Sequence, residues 1–217
     1  MSALGARTDL YDGGGEGERA FRSACSAGRL SEVRRLLLRG THGDCAPSIN
    51  VHADAEGGFR EACENGHLAV VQELLDLTGE RYINVHTDDE HGFYYACMNG
   101  HVGVVRALLA LRGGRAIDVH IRGPWTFHSA CLAGRVNVVW ELLGLTGDRR
   151  IDVGSATDTV FHLVCARGHA PMVALLLSHP RARANISQTY IQQGALLARR
   201  QKRSAVLHVL SVMCALL

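Results

Sequence analysis

Cysteine and histidine are the residue types in this sequence that could do chemistry. The 217-residue chain has seven cysteines and twelve histidines, and thiolates and imidazoles serve as zinc ligands and as partners in nucleophilic catalysis. Their spacing favours another role. Five of the cysteines recur at a nearly constant interval along the chain: Cys25, Cys63, Cys97, Cys131 and Cys165. One thiol per repeated segment predicts a ladder of small buried side chains.

The cysteine ladder is not expected to form disulfides or to hold zinc. Packed helices lie roughly 8–10 Å apart, whereas a disulfide needs Cα atoms closer than about 7 Å. Cys45 and Cys214 lie outside the ladder, and neither belongs to a CxxC pair. Free thiols in this number favour a reducing, intracellular compartment, with the cytoplasm or nucleus preferred and an organelle left open. We predict no metal site and no cofactor.

Histidine also recurs in step with the cysteines. His52, His86 and His120 each follow a valine and are equally spaced, at the same interval as the last four ladder cysteines. A role in stabilising turns is the preferred interpretation, and a pH-sensitive surface is the alternative, because imidazole titrates near neutrality. The sequence has no Walker loop, no GxSxG and no HExxH motif. These observations favour a protein without catalytic activity.

The segments that carry these residues repeat along the chain. Phe59–Leu75 reads FREACENGHLAVVQELL, and Phe93–Leu109 reads FYYACMNGHVGVVRALL. Phe59, Ala62 and Cys63 stand at the i, i+3, i+4 spacing of one helix face, and Gly66 suits a helix C-terminus. Each copy therefore predicts two short helices. A pair this small buries its apolar face only by stacking on its neighbours.

The predicted fold is an all-α repeat solenoid of stacked helix-turn-helix units, joined by short hairpin or loop connections. The units are expected to begin near residues 21, 59, 93, 127 and 161, with a degenerate C-terminal cap near residue 195. From residue 59 onward each step between unit starts is the same, and we call this step the repeat length. Residues 1–20 are expected to form a flexible, glycine-rich tail, and residues 21–217 the array.

The units resemble ankyrin repeats. The skeleton A-x(2)-G-H-x(2)-V-V-x(2)-L-L of that family is matched by Cys63, Gly66, His67, Val70, Val71, Leu74 and Leu75, and again one repeat length later. The resemblance covers residues 21–177 well and residues 178–217 weakly. It implies that the chain binds other proteins. It also implies that His67, His101 and His169, which each follow a repeated glycine, tie the two helices to the adjacent loop.

Two departures from the family pattern change the expected connections. The T-P-L-H opening of the family is mostly lost, and Gly58 and Gly92 stand at its Pro position. Val51 precedes Phe59 by eight positions, which is closer than in the family. We therefore expect a shortened β-hairpin finger and a longer loop after the second helix.

The positions that vary between copies predict a partner-binding surface. On the first helices they change from polar residues to aromatic and apolar ones near the centre of the array, and such side chains are enriched at interface centres. The predicted contact residues are Tyr94, Tyr95, Met98, Trp125, His128 and Leu132, rimmed by Glu61, Glu64, Asp88, Asp89 and Glu90. Packing of Tyr94 and Tyr95 between repeats is an equal alternative. Trp140 is expected to be exposed on a second helix, as a second contact face.

Charge is divided unevenly along the chain. Residues 1–158 contain 16 basic and 21 acidic residues, a net charge of −5, whereas residues 159–217 contain seven basic residues and no acidic one. The basic tract Arg199, Arg200, Lys202 and Arg203 lacks the interleaved aromatic residues of single-strand binders. We therefore do not expect a nucleic-acid partner. No apolar run reaches the roughly 18 residues of a membrane span, so no transmembrane segment is expected.

The predicted function is a non-catalytic protein-interaction module, an adaptor or scaffold, that binds a partner protein on the variable first-helix and hairpin face. The alternative is a structural subunit, docked permanently in a larger multiprotein assembly through its loops and its C-terminal helix. A third hypothesis is an enzyme with Cys45 as its nucleophile, which requires a hyper-reactive thiol at that position.

Overall fold

The computed structural model describes residues 15–39, 48–151, 153 and 157–215. Within these ranges every regular element is a helix, no β-strand occurs, and twelve of the helices form six consecutive pairs. The helices are α1 (Glu16–Ser26), α2 (Leu30–Leu37), α3 (Ala53–Glu64), α4 (Leu68–Leu75), α5 (Thr87–Asn99), α6 (Val102–Leu109), α7 (Trp125–Leu132), α8 (Val136–Leu143), α9 (Thr157–Arg167), α10 (Ala170–Ser178), the short α11 (Pro180–Arg183), α12 (Gln188–Arg200) and α13 (Ser204–Ala215).

The pairs stack in two layers. The first helix of each pair (α1, α3, α5, α7, α9 and α12) packs on the first helix of the next pair, and the second helices (α2, α4, α6, α8, α10 and α13) pack in the same way. One continuous core of apolar side chains joins the units. The predicted all-α solenoid is thereby confirmed, since each pair completes the core of its neighbours.

The cysteine ladder lies in the centre of the first-helix layer. All five ladder thiols are fully buried and free. Burial raises the pKa of Cys25 and of Cys165 to about 12, and it raises the pKa of the other three thiols as well. These cysteines are therefore protonated, structural side chains. Cys45, the proposed nucleophile, lies outside the described residues.

Two glycines let neighbouring first helices approach closely. A Cβ atom at Gly58 would lie 2.9 Å from Cε1 of Phe21 and 3.2 Å from Sγ of Cys25. A Cβ atom at Gly92 would lie 3.2 Å from Sγ of Cys63. Because close-packed interiors leave no room for such overlaps, the small residues on both sides of this contact set the distance between units.

Every first helix begins before the predicted start of its unit, and the two end units show the difference. Helix α1 begins at Glu16, before the expected end of the tail at residue 20, and its first turn carries Glu16 and Glu18, which suit the positive end of the helix dipole. Residues 1–14 lie outside the described residues. Helix α12 begins at Gln188, before the cap boundary expected near residue 195, where the Oγ of Ser187 accepts a hydrogen bond from the backbone N–H of Tyr190.

The sixth pair keeps the local geometry of the repeat without its sequence. Lys202 stands one repeat length after Gly168 and has a left-handed φ of +56°, against +87° for the glycine. Arg203 stands one repeat length after His169 and donates from Nε to the carbonyl of Ala166 at 2.9 Å. The degenerate unit therefore ends the array with the same turn as the others.

The connections between pairs contain no β-hairpin in the described residues. After α4, α6 and α8 the chain forms a single turn of 3₁₀ helix, at Gly79–Arg81, Gly113–Arg115 and Gly147–Arg149. The segment after the first of these turns buries Ile83 and Val85. The finger of the family is thus reduced to a short apolar segment, and the loop after the second helix is long and ordered.

Candidate partner-binding surface

Helices α3 and α5 each begin with a left-handed turn, which a kink separates from the rest of the helix. The φ angles lie between +53° and +62° over residues 54–56 and between +51° and +61° over residues 88–90. Each such non-glycine residue costs roughly 1–2 kcal/mol, so side-chain contacts must hold the turns. The conformation directs Glu56 and Glu90 into the array, where they are 4% and 1% exposed. Glu90, expected on the exposed rim, is therefore a buried residue.

Glu90 joins two successive units. Its Oε1 atom accepts hydrogen bonds from Nδ1 of His86 at 2.7 Å and from the backbone N–H of Asp118 at 3.1 Å. The other ring nitrogen of His86 donates to the carbonyl of Gly114 at 2.8 Å. Glu56, His52 and Asn84 repeat the arrangement one unit earlier. The structural role expected for the His52, His86 and His120 set is confirmed, since His120 also bonds to a carbonyl of the next unit, that of Asp148.

We expect His86 to titrate above its ordinary pKa of 6.5, because the hydrogen bond to Glu90, and then that to Gly114, favour the charged imidazolium. The folded-state pKa exceeds the unfolded one. The stabilisation from His86 is therefore complete below pH 6.5 and is lost as the pH rises through the raised value. An NMR titration of the ring measures this midpoint, and Glu90→Gln should lower it. A midpoint at or below 6.5 in the unmodified chain would contradict the bridge.

The histidines that follow the repeated glycines bind the preceding unit. Nε2 of His67 donates to the carbonyl of Ser26 and Nε2 of His101 to that of Glu64, both at 2.8 Å. His169 makes the same contact with the carbonyl of Leu132 at 3.1 Å. The expected structural role is confirmed, but the acceptor is the end of the previous first helix and not the adjacent loop.

Arginines bind the C-termini of the second helices, a feature that the sequence reasoning missed. Four of them each donate from Nη1 to the carbonyl of the last residue of the second helix in the preceding unit: Arg81 to Leu37, Arg115 to Leu75, Arg149 to Leu109 and Arg181 to Leu143. A cation at a helix C-terminus compensates the helix dipole. The sequence does contain a sign of this role, because Arg81, Arg115 and Arg149 are one repeat length apart.

Exposed apolar side chains collect on the first helices of the third to fifth units. Trp125 is 67% exposed, Met98 37% and Leu163 43%, and Tyr95 and Leu132 are half-buried beside them in the repeat register. We name these five residues the first-helix face. Leu163 was not among the predicted residues, although it stands two repeat lengths after Tyr95.

His128, which was predicted to contact a partner, does not belong to this face. It is 5% exposed and packs between the rings of Phe127 and Trp125, at centroid distances of 6.1 and 6.4 Å. The prediction failed because the position of Tyr94 and His128 in the repeat faces the next unit. A side chain at this position is covered when the units stack.

Tyr94 lies partly between units. Its hydroxyl makes a 3.0 Å hydrogen bond with the hydroxyl of Ser129, and the guanidinium of Arg122 lies 4.8 Å from its ring centre. At the equivalent place one unit earlier, Arg60 forms an ion pair with Asp88. A cation–π contact in one unit thus replaces an ion pair in the other. Tyr94 therefore acts largely in the scaffold.

The acidic rim of the face is partly neutralised from within the chain. Arg22 forms ion pairs with Asp54 and with Glu61, the latter at 3.2 Å, and Asp88 is paired with Arg60 at 2.5 Å. Such exposed pairs contribute little to stability. Their consequence is that Glu61 and Asp88 offer a partner less net charge than their sequence suggests.

The stacked helix pairs match a known family. Residues 59–155 match the model for ankyrin repeats, in three copies. This chain contains ankyrin repeats. Among solved structures, the chain is similar to the crystal structure of the human ASB11 ankyrin repeat domain, with a TM-score of 0.59 and 20% sequence identity over 89% of this chain and 82% of that chain. At this identity the likeness shows the fold alone. A search of curated proteins gave no match.

Ankyrin repeats generally mediate protein–protein interactions. An exposed aromatic residue also lies outside the first-helix face. Trp140 on α8 is 59% exposed, as predicted, and its ring lies 5.9 Å from that of His179.

No three His, Cys, Asp or Glu side chains of the described residues are placed to hold a metal ion. Across the same residues, no helix has the length and apolar character that crossing a membrane requires.

Proposed function

We propose that this chain is a non-catalytic protein-binding module whose partner docks on the first-helix face. The observation that carries the proposal is the run of exposed and half-exposed apolar side chains over three consecutive units, with Trp125 at its centre. Trp is the residue type most enriched among binding hot spots. A partner that covers Trp125 and Met98 would remove apolar surface from water, which is the main favourable term in association.

The scaffold supports this use of the face. The helices that carry Tyr95, Met98 and Leu132 are held by the buried cysteine ladder and by the hydrogen bonds of His101 and Arg135 to the preceding unit. A surface fixed in this way needs little ordering when it binds, so less of the interaction free energy is lost. With Glu61 and Asp88 already paired, the face is suited to a partner that presents a complementary apolar surface.

A double substitution tests the proposal. Met98→Ala with Trp125→Ala is expected to weaken partner binding at least about ten-fold, since it removes two of the three exposed side chains of the face. Trp140→Ala is the matched control, because it removes an equally exposed Trp from the other layer. Partners captured by the purified chain should be identified, and their affinities for all three proteins then measured with purified components. Equal affinities, or a loss only with Trp140→Ala, would refute docking on the first-helix face.

A specific observation also favours the second candidate, a structural subunit of a larger assembly. A groove of about 550 Å³ remains open between α12 and α13, lined in part by Ile191, Ala195, Leu207 and Leu210. Leu196 beside it is 63% exposed. Sedimentation of the isolated chain distinguishes the candidates: a stable monomer supports the adaptor, and aggregation relieved by Leu196→Glu supports the subunit.

A further inference from the structure

Two adjoining grooves lie along the second-helix layer, away from the first-helix face. One groove of about 400 Å³ lies between the ends of α6 and α8, and its lining includes Arg112, Trp140 and Arg149. The other, of about 650 Å³, lies beside α11, and its lining includes Arg150 and Arg181. Arg181 donates a hydrogen bond to the carbonyl of Leu145, which lines the first groove. The two grooves therefore meet along the 147–151 segment.

The grooves hold more positive charge than the chain neutralises. Among the described residues, neither Arg112, Arg149, Arg150 nor Arg181 forms an ion pair with a carboxylate. Arg112 and Arg149 both donate to the carbonyl of Leu109, at 2.9 and 2.8 Å, and Arg181 donates to backbone carbonyls. The one acidic residue in the lining, Glu141, is paired with Arg106 at 2.6 Å.

The arginines are close enough to repel one another. Burial, and then the charge of Arg112, lowers the pKa of Arg149. Burial, and then the charge of Arg150, lowers the pKa of Arg181. Each half-buried guanidinium thus has an exposed arginine beside it, at Arg112 and at Arg150. An anion bound to the exposed members would reduce the repulsion in both pairs.

The apolar part of the lining indicates the kind of anion. Trp140 stands exposed at the first groove, Ala110 and Pro180 add exposed apolar surface, and the floors are formed by the largely buried Leu109, Ile151 and Val153. Guanidinium groups recognise planar carboxylates with paired hydrogen bonds, and an exposed Trp accepts an apolar side chain. A nucleic-acid strand offers phosphates and bases, which would leave this aliphatic lining unmatched.

We propose that the adjoining grooves bind an acidic, extended segment of a partner protein, with carboxylates on Arg112 and Arg150 and an apolar side chain on Trp140. Arg112 and Arg150 belong to successive units. Packed helices step by roughly 8–10 Å and an extended chain advances about 3.3 Å per residue, so acidic residues about two to four positions apart would span one step between units. This site is separate from the first-helix face, and neither proposal depends on the other.

The test uses Trp140 as its own reporter. The sequence has two tryptophans, Trp125 and Trp140. In the full chain with Trp125→Phe, Trp140 is therefore the only tryptophan that remains. The probe is a peptide of about twelve residues, long enough to span both grooves, in which glutamate alternates with leucine. Titration should change the Trp140 fluorescence saturably, and a peptide with glutamine in place of glutamate should not. Equal binding of the two peptides would overturn the proposal.

Paired charge reversals locate the site. Arg112→Glu with Arg150→Glu should weaken peptide binding at least ten-fold, whereas Arg199→Glu with Arg200→Glu, which makes the same charge change at exposed positions of α12, should leave it within about two-fold. Equal weakening by both would mean nonspecific charge attraction. Arg112 also donates a hydrogen bond to the carbonyl of Leu109, so its replacement could unfold the chain. In that case Arg150→Glu alone is the test variant. Single-stranded DNA that binds as tightly, with no dependence on Trp140, would assign the grooves to nucleic acid instead.

Discussion

Replacing Glu90 with alanine should lower the free energy of unfolding by about 3 kcal/mol, because it removes two hydrogen bonds to a buried carboxylate, one of them charge-assisted. The Oε1 atom of Glu90 holds both the ring of His86 and the backbone N–H of Asp118, and the side chain is 1% exposed. Urea denaturation followed by circular dichroism measures the change.

Two companions of Glu90→Ala separate the bridge from other effects. Glu90→Gln keeps an acceptor of the same size and should cost about 1 kcal/mol, the value of the charge in the hydrogen bond. Asp89→Asn removes a charge from the adjacent exposed position of the same left-handed turn and should change stability by less than about 0.5 kcal/mol. Hydrogen exchange at the amide of Asp118 should accelerate in Glu90→Ala. If Glu90→Ala and Asp89→Asn are equally stable, Glu90 does not hold the units together.

Gly66→Ala is the second substitution with a large expected effect, a loss of about 3 kcal/mol from strain and a broken hydrogen bond together. Gly66 has a φ of +77°, and a Cβ atom there would overlap the imidazole of His101. The backbone strain costs roughly 1–2 kcal/mol. Displacement of the ring also breaks the 2.8 Å hydrogen bond from His101 to the carbonyl of Glu64, for about another 1 kcal/mol.

Gly79→Ala is the matched control for this substitution. Gly79 has a similar φ of +63°, but nothing lies within 4 Å of a Cβ atom there, so it should show the strain alone, about 1–2 kcal/mol. In the double variant Gly66→Ala with His101→Ala the overlap is gone, and the second substitution should cost less than His101→Ala costs alone. Thermal unfolding of the four variants gives the comparison. Equal losses for Gly66→Ala and Gly79→Ala would show that the His101 ring is not in the way.

Both substitutions act on contacts that join one unit to the next. Glu90 and His86 connect the third unit to the fourth, and His101 connects the third to the second. In a repeat array stability depends on such nearest-neighbour interfaces. The same contacts fix the spacing and angle of the helices that carry Met98 and Trp125. A loosened interface would therefore weaken both proposed binding surfaces without touching either of them.

The exposure of a candidate site residue was predictable from the sequence where no other unit covers its side chain. Trp140 replaces Gln72 and Arg106 in its repeat position, and this alone identified it as exposed. Met98 was identified in the same way. His128 and Glu90 could not be placed, because each lies at a position that is polar in several copies. Arg81, Arg115 and Arg149 recur one repeat length apart in the sequence, but they had no role until their carbonyl partners were known.

The sequence by itself determined the fold of this protein, its unit length and the buried ladder of Phe and Cys, because a constant repeat length and the i, i+3, i+4 spacing of apolar residues act locally. It also indicated where the helices end, since a left-handed turn favours glycine. Only the tertiary structure decided which polar side chains are buried. Glu56, Glu90 and His128 are buried, and the two glutamates bond to backbone N–H groups of the next unit. The left-handed turns and the arginine-rich grooves likewise arise only when neighbouring units meet.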